Sequence, residues 1–258
     1  MKNNLFSFAT SELSQDAFIC WCLNWINYPN EPLYPMAKDI FSNLLEEKDL
    51  ENEEIEIKRQ VKKIDVLVLL KKSKKAYIIE DKTYTSEHSD QINKYRETIK
   101  NEFKEEINDI KTVYFKTGFW FSDDDLVSTH IKINREKFLN ILKEYKGKNQ
   151  ILDDYCEYFE EVTKQEEKEK NYFISEEELS QKKYWELNIA WSAISQYEFM
   201  RKIFPEGYIR SGRSIGGGVY TQYDILEKKI FPDTREENLP EDKRTYTVFW
   251  RIDSKDKI

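Results

Sequence analysis

The segment that most restricts the fold of this chain is Ile64-Asp65-Val66-Leu67-Val68-Leu69-Leu70, six aliphatic side chains interrupted by one acid. A strand that is apolar on both alternating faces needs cover above and below, so the run predicts an inner strand between layers of helix. A basic turn, Lys71 to Lys75, leads into Ala76-Tyr77-Ile78-Ile79-Glu80-Asp81-Lys82, which predicts a second strand in hairpin range of the first. Residues 53–60 alternate as a half-exposed strand would, and the segment from Lys111 to Trp120 has strand composition.

Helical spacing flanks these strands. Residues 14–27 predict a buried helix with Ser14 as N-cap, Asp16 suiting its positive end, and Ala17, Cys20, Trp21 and Trp25 as its apolar face. After a loop with Pro29, Pro32 and Pro35, a second helix turns Ile40, Phe41, Leu44 and Leu45 inward. Ile92, Tyr95 and Ile99 form the stripe of a helix beginning near Ser89. The order helix, three strands, helix, strand predicts an α/β sandwich around a short mixed sheet. Beyond residue 134 the pattern is mainly helical. Residues 138–145 and 151–164 read as surface helices interrupted near Gly147, and 183–204 as one long helix carrying Trp185, Ile189, Ser192 and Tyr197. A Gly-rich turn with a strand, and a final strand, follow. We therefore expect a core over residues 1–133 and a helical elaboration with a few strands over 134–258.

Composition limits the chemistry. Three cysteines (Cys20, Cys22, Cys156) and two histidines (His88, His130) offer no zinc spacing and no disulfide framework. Metal chemistry must then run on carboxylates. No apolar run approaches the roughly 18 residues that cross a bilayer, and the N-terminus is too polar for a signal peptide. The expectation is a soluble, cytoplasmic protein with no membrane partner. The net charge of −8 is the wrong sign for a nucleic-acid partner, but its distribution is uneven. Residues 58–100 hold 12 basic and 6 acidic side chains, and residues 153–186 hold 12 acids against 5 lysines.

The basic window contains the candidate site. Asp65 is a charge in an apolar strand, costly to bury without a metal or hydrogen bonds. Glu80 and Lys82 share a strand face, while Asp81 points the other way. If the two strands pair, Asp65 and Glu80 converge, and a hard cation such as Mg²⁺ would hold them together while keeping waters. Lys82 would orient the attacking water and stabilise charge on a phosphate. Ordinary ion pairs with neighbouring lysines and arginines explain each acid taken singly; the combination is more specific.

These residues resemble the PD-(D/E)xK nuclease superfamily. The matching features are Ile64-Asp65, Glu80-Asp81-Lys82, and Gln91-Ile92-Asn93-Lys94-Tyr95, which is similar to the Gln-x-x-x-Tyr helix of RecB-type exonucleases. The opening SELSQDAF is similar to an uncharacterised bacterial subgroup of that superfamily. The resemblance covers roughly residues 10–120, with Ile64 in place of the proline. It implies a restriction-endonuclease-like αβββαβ core and a Mg²⁺-dependent deoxyribonuclease, Mn²⁺ substituting, with a role in bacterial antiviral defence or DNA repair. It further implies Asp65, Glu80 and Glu12 as metal ligands, Lys82 and Gln91 as catalytic partners, and Lys62, Lys63, Gln91, Lys94 and Tyr95 as nucleic-acid contacts. Glu87 would share the face of Gln91. RNA is not excluded as substrate, nor is either endo- or exonucleolytic cleavage. The rival readings are a non-catalytic nucleic-acid-binding module of the same fold and a regulatory assembly protein. The acidic stretch suits a protein partner as well as a solvated face, and a homo-oligomer would suit double-strand cleavage. Gly216 to Gly218 read as a tight turn, with Arg210 and Arg213 beside it as backbone contacts.

Overall fold

The computed structural model describes residues 3–83, 91–104, 106–171, 192–206, 209–213, 219–227 and 247–253. Glu87, His88, Trp185, Ile189 and Gly216 to Gly218 lie outside them.

Helices α1 (Glu12–Asn24) and α2 (Tyr34–Asn43) precede strands β1 (Ile55–Val61), β2 (Ile64–Leu70) and β3 (Lys75–Lys82). Helix α3 (Gln91–Glu102), β4 (Asp109–Lys116), the short α4 (Ser122–Asp125), β5 (Ile131–Asn134), α5 (Arg135–Lys143) and α6 (Gln150–Lys170) follow. The strands form one sheet in the order β1-β2-β3-β4-β5. β1 pairs with β2 and β2 with β3 antiparallel, whereas β3 pairs with β4 and β4 with β5 in parallel. This is the expected αβββαβ order on a mixed sheet, a restriction-endonuclease-like α/β fold. The short β5 is an addition that the sequence reading passed over.

Each face of the sheet has its own core. Val66, Val68, Leu70, Tyr77, Ile79, Val113 and Phe115 pack with residues of α1, α2, α5 and α6. Leu67, Leu69, Ala76 and Ile78 pack instead with Tyr95 and Ile99 of α3. Strand alternation accounts for the division.

Three local expectations need correction. Ser11, not Ser14, caps α1, its side chain accepting the Ser14 N–H at 3.3 Å. The buried face of α1 carries Gln15, Asp16, Phe18, Ile19, Cys22 and Leu23, while Ala17 is exposed. Apolar residues nearly encircle this helix, so period alone does not choose its face, and the stack of Phe18 on Tyr155 at 3.7 Å does. Helices α5 and α6 are not surface helices: Phe138, Leu139, Leu142, Leu152, Tyr155 and Cys156 are core residues. Gly147, at φ +84°, makes the turn between them.

The chain divides into two compact units, residues 1–120 with 126–162, and residues 121–125 with 163–258. In the second, α7 (Ala193–Ile203) packs on an antiparallel sheet of β6 (Ile209–Arg213), β7 (Val219–Glu227) and β8 (Thr247–Asp253). Ser192 has an extended backbone and caps α7, so a helix starts here rather than running through from 183. Phe204 stacks on Tyr223 at 4.1 Å.

Candidate active site

The β2–β3 ladder ends at Val66 opposite Ile79, but β3 stays paired with β4 as far as Lys82 and Lys116. A fork opens between β2 and β3. Asp65 stands at its mouth, one step beyond the last pair and level with Glu80. The Asp81 N–H donates to Asp65 Oδ2 at 2.9 Å, so a side chain takes the place of the missing strand partner. Gln60 Nε2 donates to Asp65 Oδ1 at 3.1 Å and also to Asp16 Oδ2 of α1 at 2.6 Å. Gln60 reaches both from a left-handed backbone, φ +55°, at an irregular point of β1.

Glu80 has no exposed surface, and its Oε1 accepts a hydrogen bond from Lys82 Nζ. Its other oxygen, Oε2, meets no partner among the described residues. Burial foremost, and the Asp65 carboxylate after it, push Glu80 up to about 7, although Lys82 opposes the shift. Burial works against the charge on Lys82, yet the bond to Glu80 and the negative field of Glu80, Asp65 and Glu12 outweigh it and raise its pKa. The ammonium therefore persists through neutral pH. Tyr95 of α3 lies over the same face, its hydroxyl accepting from Gln91 Nε2, and burial with nearby Glu80 and Asp65 raises its pKa.

The donor chemistry fits a divalent cation. Asp65 and Glu80 are hard oxygen donors with an unmet buried lone pair between a repelling pair of acids, which a cation would relieve. Among the described residues no three His, Cys, Asp or Glu side chains gather into a cage. An ion held here would rest on two carboxylates and retain several waters, as Mg²⁺ commonly does.

A family model described as the PD-(D/E)XK nuclease superfamily matches residues 3–184. The chain belongs to the PD-(D/E)XK nuclease superfamily. No curated protein and no solved structure matches it. PD-(D/E)XK proteins are generally nucleolytic hydrolases and typically use divalent metals.

Around the PD-(D/E)XK core, the residues singled out from sequence occupy distinct places. Asp65, Glu80, Lys82, Gln91 and Tyr95 come together on the α3 side of the sheet. Glu12, in the first turn of α1, accepts the Thr83 N–H at 3.3 Å, next to the end of β3. Lys62 and Lys63 form the exposed β1–β2 turn, both with positive φ, and Lys62 pairs with Glu102 at 3.5 Å. Lys94 is exposed on α3. His130 is structural, its Nδ1 accepting the Thr112 N–H at 3.1 Å.

Sequence reasoning missed Gln60, the burial of Asp16, and Lys116. Asp16 has no exposed surface, and burial, with Asp65 and Glu12 nearby, raises it to about 6 despite the Gln60 bond. Lys116, level with Lys82 on β4, is 1 % exposed. Its signal was present: a lysine closing the apolar strand of Val113, Tyr114 and Phe115 repeats the pattern that ends β3.

Proposed function

We propose that the chain is a metal-dependent nuclease that hydrolyses phosphodiester bonds of DNA, with Asp65, Glu80 and Lys82 as its centre. The observation that carries this reading is the buried Glu80 with an unmet oxygen, level with Asp65 and bonded to a lysine kept charged by its neighbours. Asp65 and Glu80 would hold Mg²⁺, with Mn²⁺ as a substitute and Glu12 available from α1. The ion supplies Lewis acidity toward the phosphate and lowers the pKa of bound water.

The protein's own groups do the rest. Gln60 and the Asp81 N–H orient the Asp65 carboxylate before substrate arrives. Lys82, charged at neutral pH, orients the attacking water and neutralises charge developing on the phosphate, which makes it an electrostatic partner rather than a general base. Gln91 and Tyr95 line the approach from α3, where Lys94 and the Lys62–Lys63 turn offer contacts to the nucleic-acid backbone.

The test is cleavage of plasmid and linear DNA with Mg²⁺, Mn²⁺ or EDTA, alongside Lys82→Ala. Loss of metal-dependent cutting by at least about 100-fold in a variant with unchanged circular dichroism is the expected result. Cleavage retained by Lys82→Ala overturns the site. DNA binding without cleavage under any metal favours a non-catalytic binding module.

A further inference from the structure

Strand β3 carries polar groups on both faces, and the second set lies away from Glu80 and Lys82. Ile79 and Phe115 pack in the core beneath α1, and Phe115 is level with Asp81. Alternation from Ile79 takes Asp81 and Thr83 to that side, and alternation from Phe115 takes Thr117 there too. The Thr117 N–H donates to the Lys82 carbonyl at 3.0 Å, which sets the two threonines side by side. Helix α1 packs over β3 and adds Asp16.

These side chains are closed off from water, and apart from Asp16 Oδ2, which accepts from Gln60, their polar atoms are unmet. Asp16, Asp81 and Thr117 have no exposed surface, and Thr83 is 9 % exposed. Asp16 Oδ1, both carboxylate oxygens of Asp81, and the Thr83 and Thr117 hydroxyls have no hydrogen-bond partner among the described residues. Buried polar groups are almost always hydrogen-bonded, and buried charges are paired or bind metal. The cation next to Asp81 along β3 is Lys82. That ammonium is already bonded to Glu80 on the other face. A single proton shared by the two carboxylates would pair two of the five oxygens and leave the hydroxyls unmet.

We propose that Asp16, Asp81, Thr83 and Thr117 form a second cation site, for one hard divalent ion of the Mg²⁺ or Ca²⁺ class. Two carboxylates and two hydroxyls supply only oxygen, the donor such ions prefer, and the ion would tie the start of α1 to the ends of β3 and β4. The proposal does not depend on the nuclease reading.

Mn²⁺ serves as the reporter ion, with its bound fraction measured by electron paramagnetic resonance on the full chain after chelator treatment. Four proteins are compared: wild type, Asp65→Asn/Glu80→Gln, Asp81→Asn, and Thr117→Val placed in the Asp65→Asn/Glu80→Gln background. We expect two ions per wild-type chain, one in Asp65→Asn/Glu80→Gln and one in Asp81→Asn. Thr117→Val should weaken the remaining ion at least about tenfold. A wild type with one ion that Asp81→Asn loses and Asp65→Asn/Glu80→Gln keeps also supports this site, while counting against a metal at Asp65 and Glu80. No ion on Asp65→Asn/Glu80→Gln overturns the proposal. Binding unaltered by both Asp81→Asn and Thr117→Val overturns it equally, and the threonine variant decides the matter should Asp81→Asn not fold.

Discussion

Glu80→Gln should make the metal-free protein more stable, by an amount that depends on pH. In the fold Glu80 titrates at about 7 against an ordinary 4.5. A raised carboxyl pKa means that the folded state binds the proton more tightly than the unfolded chain. Near pH 4 both states are protonated and the group contributes no difference. As pH rises through 4.5 the unfolded chain releases its proton while the fold holds on, so stability falls until the folded group also ionises near 7. The full loss is roughly 3 kcal/mol. Glutamine mimics the neutral carboxyl and cannot ionise, so it escapes the loss. The variant and wild type should therefore match at pH 4.5 or below and separate by about 3 kcal/mol at pH 8. Urea unfolding in EDTA, followed by far-ultraviolet circular dichroism across this range, measures the difference directly. For an m of about 2 kcal/mol/M the midpoints separate by roughly 1.5 M. Adding Mg²⁺ should then reverse the order, since only wild type gains from an ion held by Asp65 and Glu80, while an ion between Asp16 and Asp81 would stabilise both proteins alike. A midpoint difference that stays constant from pH 5 to 8, or a variant less stable at pH 8 in EDTA, refutes the reasoning.

Three further variants test the scaffold. Phe18→Ala removes a ring held between Phe6, Trp21, Phe138 and Tyr155, and should cost about 3–5 kcal/mol, seen as a lowered melting temperature. Ser11→Ala deletes the cap of α1 and should cost about 1 kcal/mol; no change in urea midpoint would mean that the 3.3 Å bond contributes nothing. Gly147→Ala meets no atom within 4 Å but places a Cβ on a backbone at φ +84°. Its expected cost, again by urea midpoint, is about 1 kcal/mol from conformation alone.

Much of this architecture was legible in the residues, and the failures have physical causes. The β2–β3 hairpin and α3 follow from clean periods, which is why Asp65, Glu80 and Lys82 could be grouped in advance; Gln91 and Tyr95 were joined to them by the family resemblance. The face of α1 was not legible, because Phe18, Ile19, Cys22 and Leu23 compete with Ala17, Cys20, Trp21 and Trp25 for the same inward stripe. With that face went the burial of Asp16, which reads in isolation as an acid suited to a helix N-terminus. Gln60 escaped notice because its reach depends on a left-handed backbone that glutamine seldom adopts. Asp81 was correctly turned away from Glu80, but away meant beneath α1 rather than into solvent. β5 is four residues long, Ile131–Asn134, too short for alternation to stand out from the helix that follows.

The fork between β2 and β3 has a consequence for how the protein can be watched at work. Most amides in the sheet are shielded from exchange by a neighbouring strand, and their protection reports how often strands part. The Asp81 N–H is shielded by the Asp65 carboxylate instead. Its deuterium uptake should follow the position of one side chain. Ions or substrates that draw Asp65 away would quicken it while the flanking amides keep their pace, giving a built-in clock for events at the mouth of the fork.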